Sequence, residues 1–112
     1  MDDIKILFQP VHKGDDNYQW VNVELGPARV GKARIKRLGD VITINNINIF
    51  PEYERRGFAT RVVKLFKDSA AVLIAENVRA TARTFWELME FEDTKDGHYR
   101  WLKKQAETQS RK

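Results

Sequence analysis

The spacing of the apolar residues changes abruptly within residues 41–70, and this change constrains the fold more than any other feature of the chain. Up to Ile49 the segment is rich in isoleucine, a β-branched residue that is typical of strands. After Pro51 the apolar residues follow the period of a helix and share one of its faces. They are Phe58, Ala59, Val62, Val63, Leu65, Phe66 and Ala70. The segment therefore predicts a strand, a turn through a proline, and a helix.

The isoleucines of the predicted strand do not keep to one parity. Ile42 and Ile44 fall on one face of a regular strand, whereas Ile47 and Ile49 fall on the other. One reading is an extra residue at positions 45–46, a β-bulge, which would return all four side chains to the same face. The other is a strand that is buried on both faces. The pattern is compatible with both.

The turn at residues 54–60 has the outline of an anion-binding site. Gly57 leaves room for the close approach of a ligand or another backbone, and the first turn of a helix has amide N–H groups without internal partners. Such a turn attracts anions, and the neighbouring Arg55 and Arg56 strengthen the attraction. The signal is weak by itself, because many strand-to-helix turns carry a glycine and bind nothing.

Residues 49–59 resemble the acyl-CoA-binding motif of the GNAT family of N-acetyltransferases. In that family a bulged strand ends at a proline, and a loop of pattern Arg/Gln-x-x-Gly-x-Gly/Ala holds the pyrophosphate of CoA. Gly57 and Ala59 match the last two fixed positions, while Glu54 stands where the family has arginine or glutamine. The resemblance extends over residues 30–102 and implies transfer of an acetyl group from acetyl-CoA to an amine.

The resemblance also implies which residues contact acetyl-CoA. The strand beyond the bulge would bond the pantetheine arm as an added strand does, and the start of the helix would hold the pyrophosphate. Asn77 stands where many relatives contact CoA, but it is equally typical of a turn; Trp86 would pack in the core or against the cofactor. The predicted cofactor-binding residues are Ile47, Asn48, Ile49, Arg55, Arg56, Gly57, Phe58, Ala59, Thr60, Asn77 and Trp86.

The catalytic residues are left unassigned by the same resemblance. Relatives commonly protonate the departing sulfur with a tyrosine in the run Ala-x-x-x-Tyr-Glu-x-x-Gly-Phe, where this chain has Trp86 for the tyrosine and Glu90 for the glycine. An indole does not donate a proton in that way. The bulged strand offers asparagines where relatives often have a glutamate base. His98 and Tyr99 are weak candidates, and the simpler reading makes them surface and packing residues.

The flanking segments predict an antiparallel meander before this unit and a second helix and hairpin after it. Strands are expected at residues 4–11, 18–25, 30–38 and 71–75, a helix at 81–91, and a hairpin at 92–102 that turns at Asp96-Gly97. The predicted fold class is α/β, a mixed α+β sheet of the GNAT type, mostly antiparallel with one parallel β-α-β unit.

One part of the family fold has no counterpart in this sequence. GNAT proteins usually place two helices between their first two strands, and the segment here is too short to form them. Because those helices normally wall the acceptor site, the resemblance implies an open site. It would take a protein side chain or terminus, or be completed by a second subunit in a homodimer.

Composition sets the outer bounds. The 112 residues predict one domain at residues 1–102 with a loose basic tail at 103–112. The lack of cysteine excludes disulfides and thiolate chemistry and favours a cytoplasmic setting, and two histidines do not suggest a metal site. No apolar run reaches the length of a membrane span, and the first residues do not resemble a secretory signal.

Two functions follow from these observations. The first is an acetyl-CoA-dependent N-acetyltransferase acting on an amine, such as one carried by a protein or peptide. The alternative is a non-catalytic acyl-CoA-binding or protein-interaction module on the same fold. Nucleic-acid binding is a weaker third, because the basic residues of the helix and its turn are scattered as on a solvated surface. Those residues are Arg55, Arg56, Arg61, Lys64 and Lys67.

Overall fold

The computed structural model describes residues 4–10 and 18–103, which form one mixed sheet of seven strands with two α-helices. The strands are β1 (Ile4–Phe8), β2 (Gln19–Leu25), β3 (Ala28–Leu38), β4 (Val41–Ile49), β5 (Val72–Ala75), β6 (Glu92–Asp93) and β7 (Tyr99–Leu102). The helices are α1 (Phe58–Ser69) and α2 (Arg83–Leu88). The sheet order is β1-β2-β3-β4-β5-β7-β6, and only β4 and β5 run parallel. The predicted fold class is therefore confirmed.

The hydrophobic core lies between the helices and one face of the sheet. The apolar stripe of α1 supplies Phe58, Val62, Val63 and Phe66, all of them buried. The strands contribute alternate residues, among them Val21, Ala33, Ile35, Ile42, Ile44, Leu73, Ala75 and Tyr99. None of the described helices is long and apolar enough to cross a membrane.

A β-bulge interrupts β4 where the isoleucine parity changes. Arg34 pairs with Asn46 and the next residue of β3, Ile35, pairs with Ile44, so Asn45 is the extra residue. Ile42 and Ile44 before the bulge and Ile47 after it then face the helices together. The bulge prediction is confirmed over the alternative of a strand buried on both faces.

The pairing of β4 with β5 stops at the same point. The two strands pair from Val41 to Ile44 on β4, and the last contact is the Glu76 amide donating to the Ile44 carbonyl at 3.0 Å. Beyond the bulge β4 pairs with β3 alone. Its other edge therefore presents backbone groups without a strand partner in the described part of the chain.

The second helix is shorter than the predicted range of 81–91. A 3-10 turn at Ala80–Ala82 precedes α2, and the helix ends at Leu88 because Glu90 has a left-handed φ of 73°. The Glu90 and Phe91 amides donate to the Glu87 and Trp86 carbonyls, the two bonds of a Schellman motif, and the Phe91 ring lies 4.8 Å from the Trp86 ring. Glu90 thus occupies a position that favours glycine, the residue that the resembled motif has there.

The observed boundaries of the other elements lie within a few residues of the predicted ones. The first strand ends at Phe8, and Val11 lies outside the described residues, as do the predicted loop at 12–17 and the tail at 104–112. The hairpin of β6 and β7 turns at Gly97, which has a φ of 92°. Since only residues 9–18 connect β1 to β2, the chain has no room there for a pair of helices.

Candidate active site

A cleft of about 390 Å³ opens where β4 ends and α1 begins. Eight of the predicted cofactor-binding residues line it: Ile47, Asn48, Ile49, Arg55, Gly57, Phe58, Ala59 and Thr60. Tyr53, Glu54 and Phe85 complete the lining. The free edge of β4 beyond the bulge and the first turn of α1 therefore face the same space.

The conformation of Gly57 sets the direction in which α1 begins. Its φ of 79° lies in the left-handed region, and a Cβ built on it would meet no atom within 4 Å. Glycine is favoured here by the backbone conformation rather than by crowding from the protein. The first helical hydrogen bond is donated by the Arg61 amide to the Gly57 carbonyl at 3.1 Å. The amides of Phe58, Ala59 and Thr60 precede it and have no acceptor within the helix.

The charged residues of the cleft have opposite signs. Arg55 lines the cleft with a left-handed φ of 65°, an unusual conformation for a residue with a side chain. Glu54 lines it too, and both side chains are exposed to solvent. Arg56 is not part of the lining, and its guanidinium lies 5.8 Å from the centre of the Tyr53 ring. The cleft therefore combines free amides and one arginine with one carboxylate.

Phe85, rather than Trp86, supplies the aromatic wall on the side of α2. Trp86 is buried, and its ring lies 5.0 Å from that of Phe85 and 4.8 Å from that of Phe91. Comparison with the family motif pointed to Trp86, whereas the neighbouring residue faces the cleft. No sequence signal distinguished Phe85, because both residues lie within the apolar pattern of the helix.

Asn77 and His98 are hydrogen-bonded to each other and do not line the cleft. Asn77 has a left-handed φ of 55°, and its amide donates to Nδ1 of His98 at 3.0 Å. The next amide, that of Val78, donates to the Gly97 carbonyl at 2.8 Å. The structure thus places Asn77 in the turn conformation that was one of its two predicted roles.

Tyr99 lies in the core, only 3% exposed, and does not line the cleft. Its hydroxyl donates to Oε2 of Glu87 on α2 at 3.2 Å. Burial, followed by the Glu87 carboxylate, raises the pKa of Tyr99 above its ordinary value of 10.0. A phenol in this position is held protonated and is engaged with Glu87.

A carboxylate missed by the sequence analysis lies at the bulge. Glu76 directly follows β5 and is half-buried, and the side-chain amide of Asn45 donates to its Oε1 at 3.2 Å. The Tyr18 hydroxyl donates to the same oxygen, and Arg34 donates to the Asn45 side chain at 3.4 Å. Only the parallel pairing of β4 and β5 brings Glu76 next to Asn45, which is why no sequence motif revealed it.

No family model matches the sequence, and no curated protein matches it either. The fold does recur among solved structures. A GNAT family acetyltransferase from Elizabethkingia anophelis with acetyl-CoA bound is 10% identical, with a TM-score of 0.64 over 92% of this chain and 100% of that chain. The Bacillus subtilis N-acetyltransferase YlbP in complex with coenzyme A is 12% identical, with a TM-score of 0.67 over 92% of this chain and 97% of that chain.

An acetyltransferase from Thermus thermophilus has a TM-score of 0.65 and is 21% identical. The match covers 80% of this chain and 66% of the length of the Thermus protein. At such identities the similarity establishes the fold and not the activity. The protein adopts the GNAT acetyltransferase fold.

Proposed function

We propose that this protein binds acetyl-CoA in the cleft and transfers the acetyl group to an amine. One observation carries the proposal: the unpaired edge of β4 and the free amides of α1 open into a single cleft. The first can hydrogen-bond a chain of amides and the second can bind an anion, and CoA contains both groups in sequence.

The residues present fit this ligand. The pantetheine arm carries amides that can pair with the free edge of Ile47, Asn48 and Ile49 as a strand would. The diphosphate suits the amides of Phe58 and its two successors, with Arg55 beside them. The volume of about 390 Å³ lies within the range usual for small-molecule sites. The negative charge of Glu54 would repel the diphosphate, but this side chain is exposed, so that solvent and salt screen the repulsion.

Glu76 is proposed to accept the proton that the attacking amine must lose. It follows β5 at the point where β4 and β5 stop pairing, and Asn45 and Tyr18 orient its carboxylate. An amine that approaches Glu76 from the face of the sheet without helices would meet the thioester of acetyl-CoA bound in the cleft. Positioning of the amine and the thioester then supplies much of the rate acceleration, and solvent protonates the departing thiolate.

A second candidate function is acyl-CoA binding without turnover. It is favoured by the position of Trp86, His98 and Tyr99, none of which lines the cleft. In that case the cleft holds the ligand and presents it to a protein partner.

One experiment separates the two functions. The protein is incubated with acetyl-CoA and a pool of peptides, and both free thiol and acetylated peptides are measured. The enzyme predicts thiol release with matching peptide acetylation, and Glu76→Gln should lower kcat while leaving acetyl-CoA affinity unchanged. Saturable CoA binding without thiol release above the buffer rate would favour the binding module. Absence of CoA binding would remove both.

Three further properties belong to this proposal. The acceptor amine is expected on a protein or peptide, because the chain has no room for the helices that would enclose a small acceptor. A homodimer and a cytoplasmic setting remain predictions of the sequence analysis.

A further inference from the structure

One face of the sheet carries no described helix. Both helices pack on the opposite face, where Lys67 of α1 lies 5.0 Å from the Trp101 ring and Glu87 of α2 bonds Tyr99. The remaining face is here called the open sheet face. It carries the strand residues that alternate with those of the core. Large apolar side chains are exposed on it, among them Leu7 (43%), Trp20 (39%) and Leu102 (51%).

The centre of the open sheet face is cationic. Lys32, Arg34 and Lys36 alternate along β3, the third strand of the sheet. Lys32 lies 4.7 Å from the Trp20 ring, and Arg34 and Lys36 lie 4.3 and 4.7 Å from the Tyr18 ring. In the described part of the chain, neither lysine forms an ion pair with a carboxylate. The rings orient the two lysine charges without neutralising them.

Exposed apolar side chains lie at both margins of the open sheet face, each next to one basic residue, Lys5 on β1 and Arg100 on β7. Leu7 lies on one side of the cationic centre, and Val72, Ile74 and Leu102 lie on the other, on β5 and β7. The strands from β1 to β7 span about 24 Å at ~4.8 Å per strand, a width that about seven extended residues would cross. The face thus has a positive centre between two margins on which apolar and basic residues are interspersed.

We propose that the open sheet face binds an acidic polypeptide segment with apolar residues on both sides of its acidic centre. Charge complementarity selects the acidic centre, and the exposed leucines at the margins match apolar side chains. Single-stranded nucleic acid fits less well, because it stacks bases on ring faces and the faces of Tyr18 and Trp20 are covered by cations. A second copy would bring two positive centres together. The proposal does not depend on acetyl transfer.

The test is a fluorescence-anisotropy titration without CoA. The probe is a labelled peptide of about ten residues, glutamate-rich at its centre with leucine near both ends. We expect saturable binding that weakens at least about tenfold between ~50 and ~500 mM salt. A matched peptide with lysine in place of glutamate should not bind.

Two charge-reversal variants test whether the peptide binds to the open sheet face. Lys32→Glu should weaken binding about tenfold. Lys64→Glu, which makes the same charge change at an exposed position of α1, should stay within about twofold. Trp20→Phe should abolish any change in tryptophan fluorescence on binding, and circular dichroism checks that each variant is folded.

Four results would overturn the proposal: no saturation up to about 1 mM peptide at low salt, equal loss in the two lysine variants, tighter binding of an oligouridine RNA than of the peptide, or self-association that Lys32→Glu abolishes. The assay contains neither CoA nor acceptor, so its outcome is separate from that of the proposed function.

Discussion

The chain contains two junctions at which a strand leads into a helix, and they are built differently. At the first, β4 loses its β5 partner after the bulge, Gly57 turns the chain, and the twelve residues of α1 begin with free amides. At the second, β5 leads into a loop whose Asn77 and Val78 amides are bonded to the hairpin, and α2 has only six residues.

The difference shows what turns a common structural unit into a binding site. Both junctions follow paired strands and both contain a left-handed residue, Gly57 or Asn77. The second uses its hydrogen-bond donors to attach the hairpin, whereas the first leaves them facing a cleft. The proposed binding of CoA therefore depends on donors that the fold itself does not use.

The largest expected effect tests the first junction. Gly57→Val should weaken CoA binding by about 100-fold or more, since a β-branched residue resists the left-handed conformation that orients the amides. Gly39→Val is the matched control, because Gly39 has a φ of 60° and its Cβ would also meet no atom within 4 Å. Both variants should lose similar stability in thermal denaturation. Equal CoA affinity in the two variants would contradict the assignment.

A second change acts on the strand behind the cleft. A Cβ at Gly31 would lie 2.5 Å from the Asn48 carbonyl oxygen and 3.0 Å from the Ile49 Cα, so Gly31→Ala must push β4 away from β3. We expect a stability loss of ~1–3 kcal/mol and CoA affinity about tenfold weaker. Calorimetry measures both the stability and the CoA affinity. Gly26→Ala, which strains a turn that does not line the cleft, should leave CoA affinity intact.

The two aromatic residues of α2 should separate binding from stability. Phe85→Ala removes part of the cleft wall and should weaken CoA binding about fivefold with a small effect on folding. Trp86→Phe leaves the wall in place but opens a gap against Phe91, and should cost ~1–3 kcal/mol of stability. The reverse pattern, with CoA affinity following Trp86, would restore the role that the family motif suggested.

At the second junction a substitution should have almost no effect on binding. Asn77→Gly preserves the left-handed conformation and the amide that donates to His98. CoA affinity should stay within about twofold of the wild type if the loop serves the fold only. A tenfold loss in the same titration would show that the Asn77 side chain contacts CoA.

The smallest expected effect is on the stability of the protein at alkaline pH. Burial raises the pKa of Tyr99 in the folded protein above 10.0, so the unfolded chain releases this proton first and stability falls as pH rises beyond 10.0. Tyr99→Phe should remove that part of the alkaline loss and leave acetyl transfer unchanged. A large fall in kcat for Tyr99→Phe, with normal stability, would make Tyr99 catalytic.

Local patterns predicted the bulge and helix α1, and the family resemblance predicted eight of the eleven residues that line the cleft. Isoleucine parity indicated a bulge at positions 45–46 as one of two readings, and the helical spacing after Gly57 predicted the buried face of α1, because both depend on neighbours in sequence. Glu76 and Phe85 could not be predicted in this way. Their positions depend on the register of β4 with β5 and on the orientation of α2, which are set by contacts between distant segments.

The central claim is that the amides of Phe58, Ala59 and Thr60 bind the diphosphate of CoA. Nuclear magnetic resonance of the backbone amides during a CoA titration tests it most directly. The account predicts large, saturating shifts for these three amides and small ones for Asn77 and Val78, whose donors are already bonded. Saturable binding of CoA that leaves the three amides unshifted would contradict it.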